Sequence, residues 1–330
     1  YPEDIAMLAD LGFNAYRFSI EWARIEPEDG FFSTAILDHY RRMLEPCHQY
    51  NLTPVVTYHH FTSPRWIIAQ GGWTNPTTAE KFARYCQRAT RYLGDLMGSA
   101  CTINEINIPL MVAKMFQPNQ AENLDMMNRI AAIFDVSTEN FSPFFFAGNP
   151  TGTEVLLSAH KKGASAIRAE RTDIPVGMTL ALQDLQAVGG GEERRDQLRR
   201  EIQDVWLEAS REDEFLGVQT YSRERIGPKG PLGPEEGVEL TQMGYEFWPE
   251  ALEATLRYAN DISGVPMMVT ENGIGTKDDS RRIAYYQKAL QGVANALADG
   301  LDIRGYFAWS AFDNFEWMHG YGPKFGIIHV

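Results

Sequence analysis

The chain has 330 residues, of which 44% are hydrophobic and 22% are charged, and its formal net charge is −14. This composition is typical of a globular protein, and the length favours one domain of barrel size over two of ordinary size. The acidic balance argues against nucleic acid and anionic membranes as partners, because phosphate binding depends on Lys and Arg, and no apolar stretch is long enough to cross a bilayer. A neutral small-molecule substrate is compatible with this charge.

Helix-like and strand-like segments alternate along the chain. Apolar residues at helical spacing predict helices around residues 5–11, 37–50, 82–93, 155–169, 198–209, 252–259 and 283–297. Continuous apolar runs bounded by turn residues predict strands at 15–20, 53–58, 100–103, 175–182, 215–221, 266–270 and 305–312. Strands that are apolar throughout are buried on both faces, which is typical of a parallel sheet covered by helices.

Two α/β architectures show this alternation, an open doubly wound sheet and a closed barrel. The open sheet would usually carry a glycine-rich phosphate turn after an early strand, and none is present. Gly189, Gly190 and Gly191 follow a strand, but acidic and basic residues come next, so we expect a flexible loop there. We therefore predict an α/β fold of the (β/α)8 TIM-barrel type. The chain starts with a helix, so the strand that completes the set of eight is expected to precede Tyr1.

The three cysteines, Cys47, Cys86 and Cys101, show no metal-ligand spacing. Two lie in apolar helical patterns and the third begins a strand-like run, so we expect buried thiols. An odd, low cysteine count favours a reducing compartment, and a cytoplasmic location is expected. The chain opens at Tyr1 without an initiator Met, so this expectation does not extend to a signal peptide.

Two glutamates carry the strongest functional signal. Glu105 follows the predicted strand 100–103, and Glu271 follows the predicted strand 266–270, each beside an Asn. The carboxyl ends of barrel strands are where this fold keeps its catalytic residues. Two carboxylates that face one another can cleave a glycosidic bond, since one protonates the leaving oxygen and the other attacks the sugar or activates water. A lone glutamate would more often be a solvated loop residue, but two at matching strand ends predict a glycosidase.

With these motifs placed, the chain resembles the family-1 glycoside hydrolases, the β-glucosidase and β-galactosidase family, along its whole length. Further anchors in the family's order are Tyr-Arg-Phe-Ser-Ile at 16–20, Tyr-His-His at 58–60, Phe-Leu-Gly-Val at 215–218, and the block from Trp309 to Trp317 followed by Lys-Phe-Gly at 324–326. The resemblance implies an acid/base after strand four and a nucleophile after strand seven. Glu105 and Glu271 take these places if residues 15–20 are counted as strand two.

The resemblance also implies roles for the other site residues. Glu271 would be the nucleophile and Glu105 the general acid and then base of a retaining reaction, which requires carboxyl groups roughly 5–5.5 Å apart. Arg17 would favour the ionised nucleophile, Tyr221 would contact it, and Asn104 would hold the sugar's 2-hydroxyl. The residues expected to bind the non-reducing sugar are His59, Trp309, Glu316, Trp317 and Phe325. Taken singly, each of these side chains would more often be a core or ion-pair residue.

Glu316 also bears on the substrate. Family branches that act on 6-phosphosugars usually have Ser there, and a carboxylate would repel a phosphate dianion, so the expected substrate is an unphosphorylated β-glycoside or oligosaccharide. Because acid and nucleophile are both side chains, no metal or organic cofactor is expected. His59 and His60 are adjacent on a strand and would point to opposite faces, which is poor for sharing one metal.

The chain departs from the family pattern in several places. The family's first strand, with its sugar-binding Gln, and a closing helix are absent, so we expect residues 1–330 to be a single catalytic barrel domain truncated at both ends. With two unpaired strand edges, such a fragment is expected to aggregate and to have little activity. Ile103 and Ile106 replace the usual Phe and Pro beside the acid/base. His60 stands where a Trp often follows the sugar-binding His, which leaves the pocket shape open.

The expected function is a retaining β-glycosidase acting on terminal sugars of short glycosides through a covalent glycosyl-enzyme. One alternative is a non-catalytic carbohydrate-binding or interaction protein on the same barrel, or an inactive fragment. Another is a barrel hydrolase of a different family that prefers long internal polysaccharides. The preferred sugar, the leaving group and the oligomeric state are left open. The segment 118–149 either lines the leaving-group side of the active site or is an insertion that packs on the barrel without a role in binding.

Overall fold

The computed structural model describes residues 1–115 and 121–330. It contains two compact units, Tyr1–Met178 and Thr179–Val330. In both units, helices alternate with strands of a parallel sheet, as the sequence predicts.

The first unit contributes a parallel sheet whose strands end at one edge. Its helices are α1 (Pro2–Asp10), α2 (Trp22–Ile25), α3 (Thr34–Gln49), α4 (Arg65–Ala69), α5 (Thr77–Leu93), α6 (Ile108–Met115), α7 (Ala121–Ile133) and α8 (Pro150–Glu170). Its strands are β1 (Ala15–Ser19), β2 (Thr53–His59), β3 (Ser99–Ile103) and β4 (Val176–Gly177). They pair in the order β1-β2-β3-β4, with Arg17 opposite Val55 and His59 opposite Ile103.

The second unit contains a second parallel sheet and a small additional one. Its strands are β5 (Thr179–Ala181), β6 (Asp184–Ala187), β7 (Leu216–Gln219), β8 (Arg223–Gly227), β9 (Gly230–Pro231), β10 (Met267–Asn272) and β11 (Ile303–Ala308). Its helices are α9 (Glu192–Arg199), α10 (Val205–Ala209), α11 (Ala251–Ser263) and α12 (Asp279–Ala298). The parallel sheet has the order β11-β10-β7-β5, and the small sheet has the order β6-β8-β9.

An aromatic cluster fills the core of the first unit beneath β2. Trp22 is fully buried, stacks on Tyr85 with ring centroids 5.3 Å apart, and meets Phe82 edge-on at 5.5 Å. Its indole nitrogen donates to the buried carboxylate of Glu26 at 2.8 Å, so the polar end of the ring is satisfied. Burying several such rings is the main stabilising term for this layer, since each removes a large apolar area from water.

The predicted strands correspond to observed ones to within about two residues at each end, with two larger differences. The strand predicted at 175–182 is two short strands, β4 and β5, separated by Met178; the first pairs with β3 and the second with β7. The strand predicted at 305–312 runs instead from Ile303 to Ala308. Pairing with β10 begins at Ile303, ahead of the apolar run, because the exposed Arg304 interrupts the pattern but not the ladder.

The predicted last helix is confirmed, but its packed face is not the apolar stripe seen in the sequence. Ile283, Leu290 and Leu297 are 57%, 45% and 48% exposed. The buried face of α12 consists of Arg282, Tyr285, Ala289, Gly292, Val293 and Ala296. A Cβ atom at Gly292 would lie 2.9 Å from Cβ of Glu253 on α11, so small residues allow the two helices to approach closely.

The loop predicted at Gly189–Gly191 is the turn that connects β6 and α9. Gly189 and Gly190 have φ values of +58° and +87°, which favour glycine. A Cβ atom at Gly191 would lie 2.0 Å from the carbonyl oxygen of Ile226, so only glycine fits against β8. The small sheet to which this turn belongs is absent from the sequence-based prediction, because β6 and β8 are short and mostly polar.

Three further expectations concern buried and peripheral regions. All three cysteines are free and buried, as predicted. The segment 118–149 begins outside the described residues; from Ala121 onward it includes α7, whose Ala131 packs in a small core with Ile68 and Phe141. Within residues 1–115 and 121–330, no helix has the length and apolarity needed to span a membrane.

Candidate active site

Three strands of the first unit bring polar side chains together around one amide. Asn104 lies directly after β3, is fully buried, and its backbone N–H donates to the carbonyl oxygen of His59 at 2.8 Å. Its side-chain oxygen accepts a hydrogen bond from Arg17 on β1. Its side-chain nitrogen lies 3.3 Å from Nε2 of His60, which follows β2. The carboxyl edge of the sheet therefore gathers a cation, an amide and an imidazole beside Glu105.

Glu105 occupies a backbone conformation that non-glycine residues rarely adopt. Its φ is +45°, and the residue is 8% exposed. Its carbonyl oxygen accepts the N–H of Ile108 at 2.8 Å at the start of α6. Left-handed conformations cost on the order of 1–3 kcal/mol and persist where surrounding packing enforces them, often at functional sites. The backbone of Glu105 is thus held at the strand end by the surrounding structure.

His59, the histidine assigned to the sugar from sequence, lies in the aromatic core. It is 1% exposed, its Nε2 is 3.0 Å from Oγ of Ser63, and its ring meets Trp73 edge-on at 4.9 Å and Phe144 at 5.0 Å. Burial, with a smaller contribution from His60, lowers the pKa of His59 to about 3. The residue is therefore neutral and enclosed, and its assignment to the sugar stays a prediction.

His60 combines a polar ring with an aromatic neighbour. Burial and, to a lesser extent, the cation of Arg17 lower the pKa of His60 to about 3. A neutral imidazole offers one donor and one acceptor, which suits a hydroxyl group. Phe61, with φ of +73°, places its ring 4.7 Å from that of His60 and 4.8 Å from that of Phe145. An apolar wall therefore stands next to the polar group.

In the second unit, the parallel strands β7 and β10 bring Tyr221 to Glu271. Glu271 lies in β10, pairs in register with Gln219, and is 4% exposed. Tyr221 comes just after β7, and its hydroxyl donates to Oε2 of Glu271 at 2.7 Å. The Tyr221 ring packs edge-on against Phe325, which is 3% exposed, with centroids 6.0 Å apart. A hydrogen bond to an ionised carboxylate stabilises the charged form and fixes its orientation.

The segment after β11 is tied to the strand that carries Glu271. The backbone N–H of Trp309 donates to the carbonyl oxygen of Asn272 at 2.9 Å. The next residue, Ser310, donates its N–H to Phe325 at 3.1 Å and accepts from Ile327 at 2.9 Å. Trp309 and Phe325 are thereby anchored to the same framework as the carboxylate.

Glu316 is positioned within this segment by its own neighbours. The side-chain nitrogen of Asn314 donates to Oε2 of Glu316 at 2.7 Å, and Ser310 donates to the oxygen of the same amide at 3.2 Å. Trp317 follows with φ of +47° and is 39% exposed. A partly exposed carboxylate beside an exposed indole offers an acceptor for hydroxyl groups and an apolar face for C–H groups.

A partly buried ion pair, Lys324 with Asp313, lies within the same segment. Lys324 lies 3.0 Å from Oδ2 of Asp313, whose other oxygen accepts the N–H of Gly326 at 3.1 Å. Burial by itself raises the pKa of Asp313, but the bonds from Lys324 and Gly326 outweigh it and lower the pKa overall. Among the residues that the structure describes, no three His, Cys, Asp or Glu side chains are arranged to hold a metal ion.

Comparison with known proteins identifies the family. The model of glycosyl hydrolase family 1 matches residues 1–183 and 210–330. The chain belongs to glycosyl hydrolase family 1. Thermostable beta-glucosidase B of Thermobispora bispora is 30% identical over 380 residues, covering 100% of this chain and 75% of its own length. A bifunctional beta-D-glucosidase/beta-D-fucosidase of Bifidobacterium breve is 29% identical over 398 residues, covering 100% and 82%.

Solved structures of family-1 proteins align with the whole chain. The crystal structure of beta-glycosidase BGL167 has 52% sequence identity and a TM-score of 0.96, covering 100% of this chain and 80% of its own. A beta-glucosidase from Thermotoga maritima in complex with galacto-hydroximolactam has 25% identity and a TM-score of 0.84, covering 99% and 80%. This family-1 chain is therefore a glycoside hydrolase, a β-glycosidase, and its fold class is the (β/α)8 TIM barrel, as predicted.

Sequence reasoning did not find the residues that fix Tyr221. His60 was noted only as the residue after the predicted sugar-binding His59, and the signal that draws attention to it is that, like Asn104, it directly follows the last residue of its strand. The role of Asn272 had no comparable signal, because its partners lie on α12 and β11. The assignments of individual site residues stay predictions, and they are developed as proposals for this family-1 enzyme.

Proposed function

We propose that the protein is a retaining β-glycosidase that removes terminal, unphosphorylated β-linked sugars from short glycosides by double displacement. Glu271 acts as nucleophile, Glu105 as general acid and then base, and residues 1–330 belong to its single catalytic domain. The observation that carries this proposal is the 2.7 Å hydrogen bond from the Tyr221 hydroxyl to the carboxylate of Glu271 at the end of a buried strand. A buried carboxylate with a committed donor is held in one orientation, as a nucleophile must be.

In the first step, Glu271 attacks the anomeric carbon while Glu105 gives its proton to the leaving oxygen. A C–O bond to the enzyme forms, the glycosidic C–O bond breaks, and the leaving group departs as an alcohol. In the second step, Glu105 takes a proton from water, which attacks the same carbon and releases Glu271 as a carboxylate. The two inversions together retain the β configuration.

The surroundings of Glu105 support its assigned role. Asn104 is held by Arg17 on one side and lies next to neutral His60 on the other, so polar groups that can bind sugar hydroxyls converge beside the acid. We assign Asn104 to the 2-hydroxyl, where hydrogen bonds strengthen in the transition state, and His60 to a neighbouring hydroxyl. Neutral groups suit an uncharged substrate.

The segment that carries Glu316 supports recognition of a terminal sugar. Glu316 is oriented by Asn314 and stands beside Trp317, while Trp309 and Phe325 are anchored through Asn272 and Ser310. We assign these side chains to the hydroxyls and the apolar face of the non-reducing sugar. Since the relatives include a β-glucosidase and an enzyme with both β-glucosidase and β-fucosidase activity, we propose glucosides and fucosides as the first substrates to test.

The decisive experiment traps the intermediate with a 2-fluoro β-glucoside that has a dinitrophenolate leaving group. One equivalent of dinitrophenolate should be released, and peptide mass spectrometry should find the sugar on Glu271. A glycosyl adduct on any other residue would overturn the assignment. Glu271→Gln, which preserves the shape of the side chain, is the matched control and should form no adduct.

The Glu105→Gln variant tests the acid/base role independently of the nucleophile role. With an activated leaving group, the first step needs no proton, so the variant should form the adduct but turn over slowly. Azide needs no general base and should restore turnover, giving a β-glycosyl azide. If azide neither restores turnover nor yields a glycosyl azide, Glu105 is not the acid/base. A folded wild-type protein that binds glucosides with no turnover would favour the carbohydrate-binding alternative.

A further inference from the structure

The residue after the proposed nucleophile, Asn272, is the centre of a buried hydrogen-bond network. It is fully buried, and its side-chain nitrogen donates to the carbonyl oxygen of Thr220 at 2.7 Å and to the hydroxyl of Tyr285 at 3.1 Å. Its side-chain oxygen accepts from the hydroxyl of Tyr306 at 2.7 Å. Both amide protons are therefore committed to protein partners.

Tyr285 extends this network to the residue that contacts the nucleophile. It projects from α12, is 1% exposed, and its hydroxyl lies 2.8 Å from the carbonyl oxygen of Tyr221. A phenol has one proton, so Tyr285 donates to Tyr221 and accepts from Asn272. The donor and the acceptor of each hydrogen bond in the network are therefore known.

This network acts directly after the last residue of strand β7. Strand β7 ends at Gln219, and the carbonyl oxygens of the next two residues, Thr220 and Tyr221, are bound by Asn272 and Tyr285. The same short segment must place the Tyr221 hydroxyl 2.7 Å from Oε2 of Glu271. Hydrogen bonds weaken steeply with misalignment, so the backbone of Tyr221 needs a rigid support.

We propose that Tyr285, together with Asn272, is a positioning residue that fixes Tyr221 against Glu271. The inference rests on the proposed function, since it assigns the network a part in formation of the glycosyl-enzyme. Tyr285 does not touch the carboxylate and acts through Tyr221. Small displacements of a reacting group can cost up to about 100-fold in rate, so a support of this kind has a kinetic signature.

The test compares wild-type full-length chain with Tyr285→Phe, Tyr221→Phe and the double variant. Tyr258→Phe serves as the matched control, because Tyr258 also donates from a helix to a neighbouring side chain, Asp204, within the same unit but outside this network. Stopped-flow release of dinitrophenolate from the 2-fluoro β-glucoside gives two numbers. The amplitude counts correctly folded sites, and the rate constant reports the glycosylation step at each of them.

Tyr285→Phe should lower the rate constant roughly 10-fold at unchanged amplitude, because a buried donor to the Tyr221 backbone is lost. In the Tyr221→Phe background, the same substitution should change the rate by less than about twofold, since the group it positions is gone. Tyr258→Phe should leave the rate constant at the wild-type value.

Two results would overturn the inference while leaving the proposed function intact. In one, Tyr285→Phe lowers only the amplitude or the melting temperature, with the rate per site unchanged, which is a purely structural effect. In the other, Tyr285→Phe lowers the rate constant by the same factor in the Tyr221→Phe background as in the wild-type background. Absence of any adduct in the wild-type protein would instead overturn the proposed function, and this inference with it.

Discussion

The two adjacent histidines provide a sharp test of the site, because the structure gives them opposite surroundings. His60 lies 3.3 Å from the Asn104 amide, whereas His59 is enclosed by Trp73 and Phe144. His60→Ala removes a polar group that we assign to the substrate. We expect kcat/KM for a nitrophenyl β-glucoside to fall about 10- to 100-fold, the range for losing one substrate hydrogen bond in a buried site.

His59→Ala should affect stability instead of chemistry. The side chain is 1% exposed, so truncation leaves a cavity lined by rings, at a cost of about 3 kcal/mol. With an unfolding entropy of about 2.1 cal/mol/K per residue over 330 residues, this lowers the Tm by about 4 °C. If His60 is the histidine that binds the sugar, as we propose, activity per titrated active site should stay within about twofold of wild type.

Each variant is the control for the other, measured by differential scanning calorimetry and by steady-state kinetics normalised to active-site titration. The reasoning is refuted if His60→Ala keeps its kcat/KM while folded His59→Ala loses it. That outcome would return the sugar-binding role to His59, as the resemblance alone suggested.

Three further predictions concern stability. The pKa of His59 is lowered to about 3 from a reference value of 6.5. Below pH 6.5, His59 therefore binds a proton in the unfolded chain but not in the folded chain. The free energy of unfolding should fall by up to about 2 kcal/mol at pH 5. His60, whose pKa is also lowered to about 3, contributes a similar loss, so His59→Phe should remove about half of this slope from a urea-melt pH profile, and an unchanged slope would contradict the assignment. Gly292→Ala should lower the Tm, because the new Cβ atom would lie 2.9 Å from the Cβ atom of Glu253. This overlap should outweigh the helix preference of Ala over Gly, which is roughly 1 kcal/mol. A higher Tm would show that α11 and α12 can separate. Arg223→Met should lower the free energy of unfolding in a denaturant melt by about 3–5 kcal/mol, because the buried carboxylate of Glu246, which is 3% exposed, loses the Arg223 cation. Adding Glu246→Gln to this variant should recover part of the lost stability.

Much of the framework could be predicted from sequence because its causes are local. Apolar spacing distinguished helices from buried strands, and turn residues marked where each strand ends. That was enough to place Glu105 and Glu271 at strand ends and to predict three buried thiols, which the structure contains. The barrel class followed from alternation together with the family resemblance, and comparison with solved structures confirmed it.

Only the tertiary structure decided which residues meet. Tyr285 reaches Tyr221 across 64 positions of sequence, and Asn104 meets Arg17 across 87, separations at which no periodic pattern carries information. The different side-chain partners of His59 and His60 likewise depend on where β2 stops pairing with β3, which is a property of two strands and not of one. The packed face of α12 follows from the close approach of α11, which favours Gly292 and its small neighbours over the more hydrophobic stripe. Hydrophobicity is encoded residue by residue, but contact requires two distant segments to fit, and that fit exists only once the chain has folded.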